Sequence, residues 1–223
     1  DTFCTAELLT TNATTAEMAK LTENSFRDVN IAFANELSLI CSKLGIDVWE
    51  LIELANHHPR VNILNPGPGV GGHCIAVDPW FIVSSVPEEA KLIRQSREIN
   101  DGKPAYVVNQ VADAVGERPS ASVALLGLTF KANIDDLRES PALEISSELV
   151  KRYPETEFLI VEPNISELPV ALERSNNAVL AELDHALAEA GIIVLLVDHR
   201  EFTIENPREL ATKCVIDTRG LWR

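Results

Sequence analysis

SVALLGLTF, residues 122–130, is an apolar run of strand length whose hydrophobic residues do not alternate with polar ones. A run of that kind fits a strand covered on both faces, the situation of a parallel sheet flanked by helices. Three further runs repeat it: EFLIVEP (157–163), GIIVLLVDH (191–199) and CVIDTRG (214–220). Helical stretches, PALEISSELVKRYP and LAELDHALAEA, lie between them. Strands that alternate with helices imply right-handed crossovers, so residues 119–223 are expected to form a Rossmann-like parallel-sheet domain. Ligands of such sheets bind beyond the strand carboxyl ends, which directs attention to Lys131, Arg138, Glu162, Asp198 and Arg219.

The preceding residues, 1–118, have a helical period throughout. Thr14-x-x-Glu17 has the form of a capping box, and Met18, Leu21, Phe26, Val29, Phe33, Leu37, Ile40 and Leu44 recur behind it until Gly45 supplies a stop. This predicts one long helix over 15–44. Its second half carries Ile31, Ala34, Leu39 and Cys41 on the other side, so it is expected to be buried all round, as in a central or dimer-core helix. Asp47-x-x-Glu50 starts a second helix that ends before Pro59, and the segments 79–83, 87–100 and 103–116 continue the pattern, with Pro104 placed near a helix start. The expected class is therefore α/β, a helical region followed by the sheet domain.

Composition narrows the partners. A formal charge of −15 argues against nucleic acid and anionic membrane surfaces, and no apolar run approaches the roughly 18 residues of a membrane span. Four widely spaced cysteines, Cys4, Cys41, Cys74 and Cys214, fit a reducing compartment, so a cytoplasmic location is expected. Asn12-Ala-Thr14 matches a glycosylation pattern, read here as a chance tripeptide in the absence of a secretory leader. The chain opens on Asp1 instead of methionine and reads as part of a longer protein.

Four of the ten glycines fall within residues 67–72, in NPGPGVGGHCIAVDPWF (65–81), just ahead of Cys74. The run lacks the Lys-Ser/Thr of a P-loop and the spacing of a dinucleotide fingerprint. Glycines there would bring bare backbone close to a bulky ligand, and Cys74 would face it, either as an activated nucleophile or as an inert buried thiol. Asp78 before Pro79 suits a helix cap, or a group that orients a water for the thiol. Lys20 and Asn24 share a helix face with Arg27 a turn beyond, as a ligand-facing set or a solvated stripe. His57, His58, His73 and Cys74 lack the tight spacing of a zinc site, and no metal is expected.

Four segments in this order, AEMAKLTENSFRDVNIAFANEL, GPGVGGHCIAVDPWF, GLTFKANIDDLRESPALEI and VIDTRG, resemble the central and C-terminal domains of the UDP-glucose/GDP-mannose dehydrogenase family over nearly the whole chain. HPRVNI with the GGHC segment is most similar to members acting on UDP-N-acetyl-D-mannosamine; UDP-glucose members typically carry a lysine where Val77 stands. The resemblance implies oxidation of a C6 alcohol to a carboxylate with two NAD+. Cys74 would be the covalent nucleophile, Lys20 and Asn24 the groups at the oxyanion or a water, and Asp78 the assisting base. Arg27, His58 and Arg60 would contact sugar or phosphates, partly across a homodimer interface, and Gly71 would offer backbone to the sugar. Lys131 and Arg219 would serve the nucleotide sugar, and Arg138 would lie towards NAD. The family's N-terminal GxGxxG domain is absent from these residues, so the chain alone is expected to be inactive. Two other readings stay open: oxidation of UDP-N-acetylglucosamine, and a non-catalytic nucleotide-sugar-binding or dimerisation module.

Overall fold

The computed structural model describes residues 7–204 and 210–222; Cys4 and the chain ends lie outside the described residues. A 32-residue helix α1 (Ala13–Leu44) opens the chain. Its cap is Asn12, whose Oδ1 accepts from the Thr15 N–H at 2.9 Å, so the Thr14 capping box is corrected by two residues. Asparagine is at least as good a cap as threonine, and here it is the one standing outside the helix. Gly45 closes α1 in the left-handed conformation. Helix α2 (Val48–Asn56) is capped by Asp47, which accepts from the N–H groups of Trp49 and Glu50. Helix α3 (Asp78–Ser85) follows the glycine segment.

Helix α4 (Lys91–Glu117) is a single 27-residue element with Pro104 inside it, where the sequence suggested a helix start. A proline removes one helical hydrogen bond. Here the helix is held on both sides of that gap, by α1 and α3 earlier and by the sheet layer later.

Five parallel strands follow: β1 (Val123–Leu126), β2 (Phe158–Val161), β3 (Ala178–Leu180), β4 (Ile192–Leu195) and β5 (Cys214–Asp217). Their order is β3-β2-β1-β4-β5. The expected strands are all present, each trimmed to four residues, and β3 is an addition at the sheet edge. Val123 is in register with both Phe158 and Ile192, and all four residues of β1, β2 and β4 are buried, as covering on both faces requires. Helices α5 (Pro141–Arg152), α6 (Val170–Glu173) and α7 (Leu183–Glu189) make the crossovers, with a 3₁₀ turn at Arg200–Phe202.

One face of the sheet packs Val107, Val111 and Val115 of α4 together with Ile145 and Leu149 of α5; the other packs Ala186 of α7 and Phe202. Helix α4 thus serves both the helical region and the sheet. A division after residue 118, which we keep as a proposal, follows the change of element type while one helix packs on either side of it.

Helix α1 departs from expectation in one respect. Ala34 and Cys41 are buried, whereas Phe26 (68% exposed), Phe33 (50%) and Ile40 (46%) of the leading apolar stripe face solvent in this single chain. Inward positions are taken by polar residues as well: Asn24, Asp28 and Asn35 are buried on α1. No helix among the described residues is long and apolar enough to cross a membrane.

Candidate functional site

The strand order reverses between β1 and β4, and the site lies at the carboxyl end of the sheet, against the loops that leave β1 and β5. A cleft of about 320 Å³ opens there, lined by Arg27 and Ile31 of α1, by Asn65, Gly67, Gly71 and Ile75 of the glycine segment, and by Phe130, Lys131 and Arg219. Arg27, Gly71, Lys131 and Arg219, far apart in sequence, therefore share one cavity. Arg219 is partly neutralised, its Nε donating to Asp198 Oδ1 at 2.8 Å. Arg27 and Lys131 form no ion pair among the described residues. A chain of net charge −15 thus gathers three cations around one cleft, the local arrangement that an anionic ligand needs.

Beside the cleft, Cys74 is exposed and sits in the turn that feeds α3; its carbonyl accepts from the N–H groups of Val77 (3.1 Å) and Asp78 (2.8 Å). The capping role for Asp78 is not what the structure contains. Val77 holds the cap position without a side-chain hydrogen bond, and Asp78 Oδ2 instead accepts from Asn24 Nδ2 at 2.5 Å. That bond links α1 to the turn carrying Cys74. Lys20, one turn before Asn24, is exposed and lies 3.4 Å from Glu23.

The glycine run is required by the protein itself. An added Cβ at Gly71 would stand 2.3 Å from the Glu139 carbonyl oxygen, and one at Gly67 would stand 2.6 Å from an Arg219 guanidinium nitrogen. The expectation that these glycines make room for a ligand is corrected to that extent: they let the segment close onto the loop after β1 and onto Arg219. Gly71 still lines the cleft.

Two networks hold the walls. In the first, Asn35 Oδ1 accepts from Gly67 N–H, Asn35 Nδ2 donates to Asn100 Oδ1, and Asn100 Nδ2 donates to Asp28 Oδ1. Arg97 Nη1 reaches the same Asp28 oxygen at 2.6 Å and also pairs with Asp101. Burial pushes the Asp28 carboxyl above its ordinary value, and the Arg97 charge works against that rise. The signal for this network was the polar set at 24, 28 and 35 on one helix face, together with Arg97 and Asn100.

In the second, buried Glu162 accepts from the N–H groups of Leu128 and Thr129 and lies 3.1 Å from His199 Nε2. His199 Nδ1 accepts from Asn133 N–H at 3.0 Å, which places the imidazole proton on Nε2, towards Glu162 and Thr129. Thr129 Oγ1 in turn donates to the carbonyl of Lys131. Burial acts to raise the Glu162 carboxyl, but the hydrogen bonds from His199 and Leu128 prevail and hold it below its usual range.

Other predicted residues stand apart from the cleft. His58 and Arg60 occupy the exposed turn after α2, joined by a bond from Arg60 N–H to His58 Nδ1. Arg138 is exposed and grips Asp136 through its side chain and its N–H, which holds Asp136 far below the normal carboxylate range; His73 Nε2 lies 3.8 Å from the same carboxylate. Asp198 and Glu162, singled out by position after a strand, prove to be partners of Arg219 and His199. Among the described residues no group of three or more His, Cys, Asp or Glu could hold a metal ion, and Cys41, Cys74 and Cys214 are free thiols.

Comparison with known proteins now bears on the cleft. Residues 14–102 match the central domain, and residues 124–223 the UDP binding domain, of the UDP-glucose/GDP-mannose dehydrogenase family. The chain belongs to this family. UDP-N-acetyl-D-mannosamine dehydrogenase of Escherichia coli K12 is 57% identical over 99% of the chain and 54% of its own length. NDP-N-acetyl-D-galactosaminuronic acid dehydrogenase of Ralstonia nicotianae is also 57% identical, over 99% of the chain and 51% of its own length. Among solved structures, a UDP-D-ManNAc dehydrogenase from Pyrococcus horikoshii superposes with a TM-score of 0.82 at 38% identity, covering 98% of the chain and 51% of that protein. The chain spans about half the length of the curated relatives it matches. Its UDP-binding match covers β1 to β5, the sheet whose loops border the cleft.

Proposed function

We propose that this chain is the substrate-binding and covalent-chemistry portion of an NAD-dependent nucleotide-sugar 6-dehydrogenase, which oxidises the C6 alcohol of UDP-N-acetyl-D-mannosamine to the uronate. The observation that supports it best is the convergence of Arg27, Lys131 and Arg219 on one cleft next to the turn carrying an exposed thiol. Guanidinium and ammonium groups suit a pyrophosphate, and the sugar would extend from them towards Cys74.

In this reading the Cys74 sulfur adds to the C6 aldehyde, forming a C–S bond and a thiohemiacetal. Loss of a hydride from C6 converts it to a thioester. Water then attacks the acyl carbon, the C–S bond breaks, and carboxylate and thiol are released. Asp78, fixed by Asn24, takes a proton from that water, while Lys20 and Asn24 serve the developing oxyanion. NAD+, when bound, supplies the hydride-accepting chemistry, two equivalents for the four-electron change. In this reading Lys131 at the cleft, and Arg138 once freed from Asp136, would meet the cofactor at its margin. This chain by itself is expected to bind the UDP-sugar without turning it over. His58 and Arg60, exposed here, would reach a substrate held by a second copy, and the open apolar stripe of α1 would cover its counterpart in a homodimer.

The test is turnover of UDP-N-acetyl-D-mannosamine by the complete gene product, wild type and Cys74→Ala. The variant should lose the uronate product by several orders of magnitude; undiminished turnover ends the reading. Equal identity to relatives named for mannosamine and galactosaminuronic acid substrates favours running UDP-N-acetyl-D-galactosamine and UDP-N-acetylglucosamine in parallel. Faster oxidation of either would reassign the epimer and leave the chemistry in place.

A further inference from the structure

A second cleft, of about 290 Å³, lies between α1, α2, α4 and β5, and Ser38, Ser42, Trp49, Lys103, Tyr106 and Asp217 are among its walls. Lys103 is 5% exposed, yet no carboxylate of the described residues lies within ion-pairing distance of it. Its Nζ donates to Ser38 Oγ at 2.8 Å and stands 5.1 Å from the centre of the Tyr106 ring. Asp217 is the one carboxylate on the cleft wall, and its oxygens are engaged by the N–H groups of Arg219, Gly220 and Trp222. A buried ammonium without a counter-charge is costly, and burial lowers the Lys103 value to about 8.

The neutral groups of the cleft lean the same way. Gln110 Nε2 donates to the Tyr106 hydroxyl at 3.3 Å, which donates to Ser42 Oγ at 2.8 Å. Ser42 is exposed, so its hydroxyl proton is open to solvent or to a ligand in the cleft. Lys103, after its bond to Ser38, keeps two further N–H donors. The Lys103 ammonium is thus the unbalanced charge of this cleft, and a ligand rich in acceptors and negative charge would balance it. We propose that this cleft binds a small oxyanion, with the Lys103 ammonium and the Ser42 hydroxyl as its principal donors. The site is distinct from the cleft at the strand-order reversal, shares no lining residue with it, and does not depend on the function proposed above.

Because the ligand requires the protonated amine, affinity should fall as the pH rises through 8. Tyr106 and Asp217 are the other titratable side chains on the cleft wall; α1 and α2 contribute Ser38, Ser42 and Trp49. The test uses this chain with inorganic phosphate and, separately, acetate, and follows the Lys103 Nζ-bearing carbon by NMR as a function of pH. Either oxyanion should raise the titration midpoint of Lys103, and the better of the two reports whether the natural ligand is a phosphate or a carboxylate. If neither moves it, the proposal is overturned. In a parallel thermal-shift measurement, Lys103→Met should weaken the response to the effective oxyanion by roughly tenfold or more, while Lys103→Arg and the double variant Lys131→Ala/Arg219→Ala should keep it. A response abolished by the double variant and retained by Lys103→Met would assign the anion to the other cleft and overturn the proposal.

Discussion

Asn24 of α1 and Asp78 of α3 are 54 residues apart and share a hydrogen bond of 2.5 Å, which makes a carboxylate in the turn after Cys74 depend on an amide of the long helix. The bond is charge-assisted and partly buried. Asn24→Ala should therefore cost about 1–3 kcal/mol of stability in chemical denaturation, since a carboxylate loses its donor. Asp78→Asn preserves the shape and removes the base; in the complete protein, uronate formation should drop by roughly 10²–10⁴-fold while UDP-sugar binding stays within a few-fold of wild type. Equal losses in binding and turnover would assign Asp78 a structural role alone.

Gly71→Ala tests the close approach to Glu139. The new methyl would overlap a backbone oxygen, which cannot move aside as a flexible side-chain tip can. A destabilisation of about 1–3 kcal/mol is expected, with loss of UDP affinity as the cleft wall shifts. Urea midpoints and calorimetric UDP titration measure the two effects separately.

The buried pair Arg97 and Asp28 should be far more sensitive to losing one member than both. Arg97→Met leaves Asp28 buried without its charge partner, at a cost of about 3–5 kcal/mol, whereas the double change with Asp28→Leu should recover much of it. A double-mutant cycle in denaturant reads the coupling.

Glu162 predicts an acid limb. Its folded-state value lies below the unfolded one, so its stabilisation is complete above about pH 4.5, the ordinary value, and is lost as pH falls through the lowered value. Glu162→Gln should flatten the decline of melting temperature in that window and lower stability at neutral pH. An unchanged acid profile would show that His199 and Leu128 do not favour the ionised carboxylate.

Much of the architecture was legible in local pattern: helical spacing and a stop glycine marked α1, an apolar face marked α5, and unbroken apolar runs marked β1, β2 and β4, which are buried on both faces. Strand β3 was not: it has three residues, of which only Ala178 is buried, too short a run to register against its neighbours. Pro104 misled because a proline's local preference was weighed without the packing that holds α4 on either side. On the site, Arg27, Lys131 and Arg219 could be named from motif and position after a strand. The grip of Arg138 on Asp136, the attachment of Asp78 to Asn24 and the contact of Gly71 with Glu139 are long-range or geometric facts that no spacing encodes.

Helix α4 has a consequence for how the molecule comes apart. Its early turns lean on α1 and α3, its later turns complete one face of the sheet, and no break separates them. Neither half can lose its fold without stripping a rigid rod from the other, so calorimetry should record a single cooperative melt, and a cut near residue 118 should yield two pieces that aggregate.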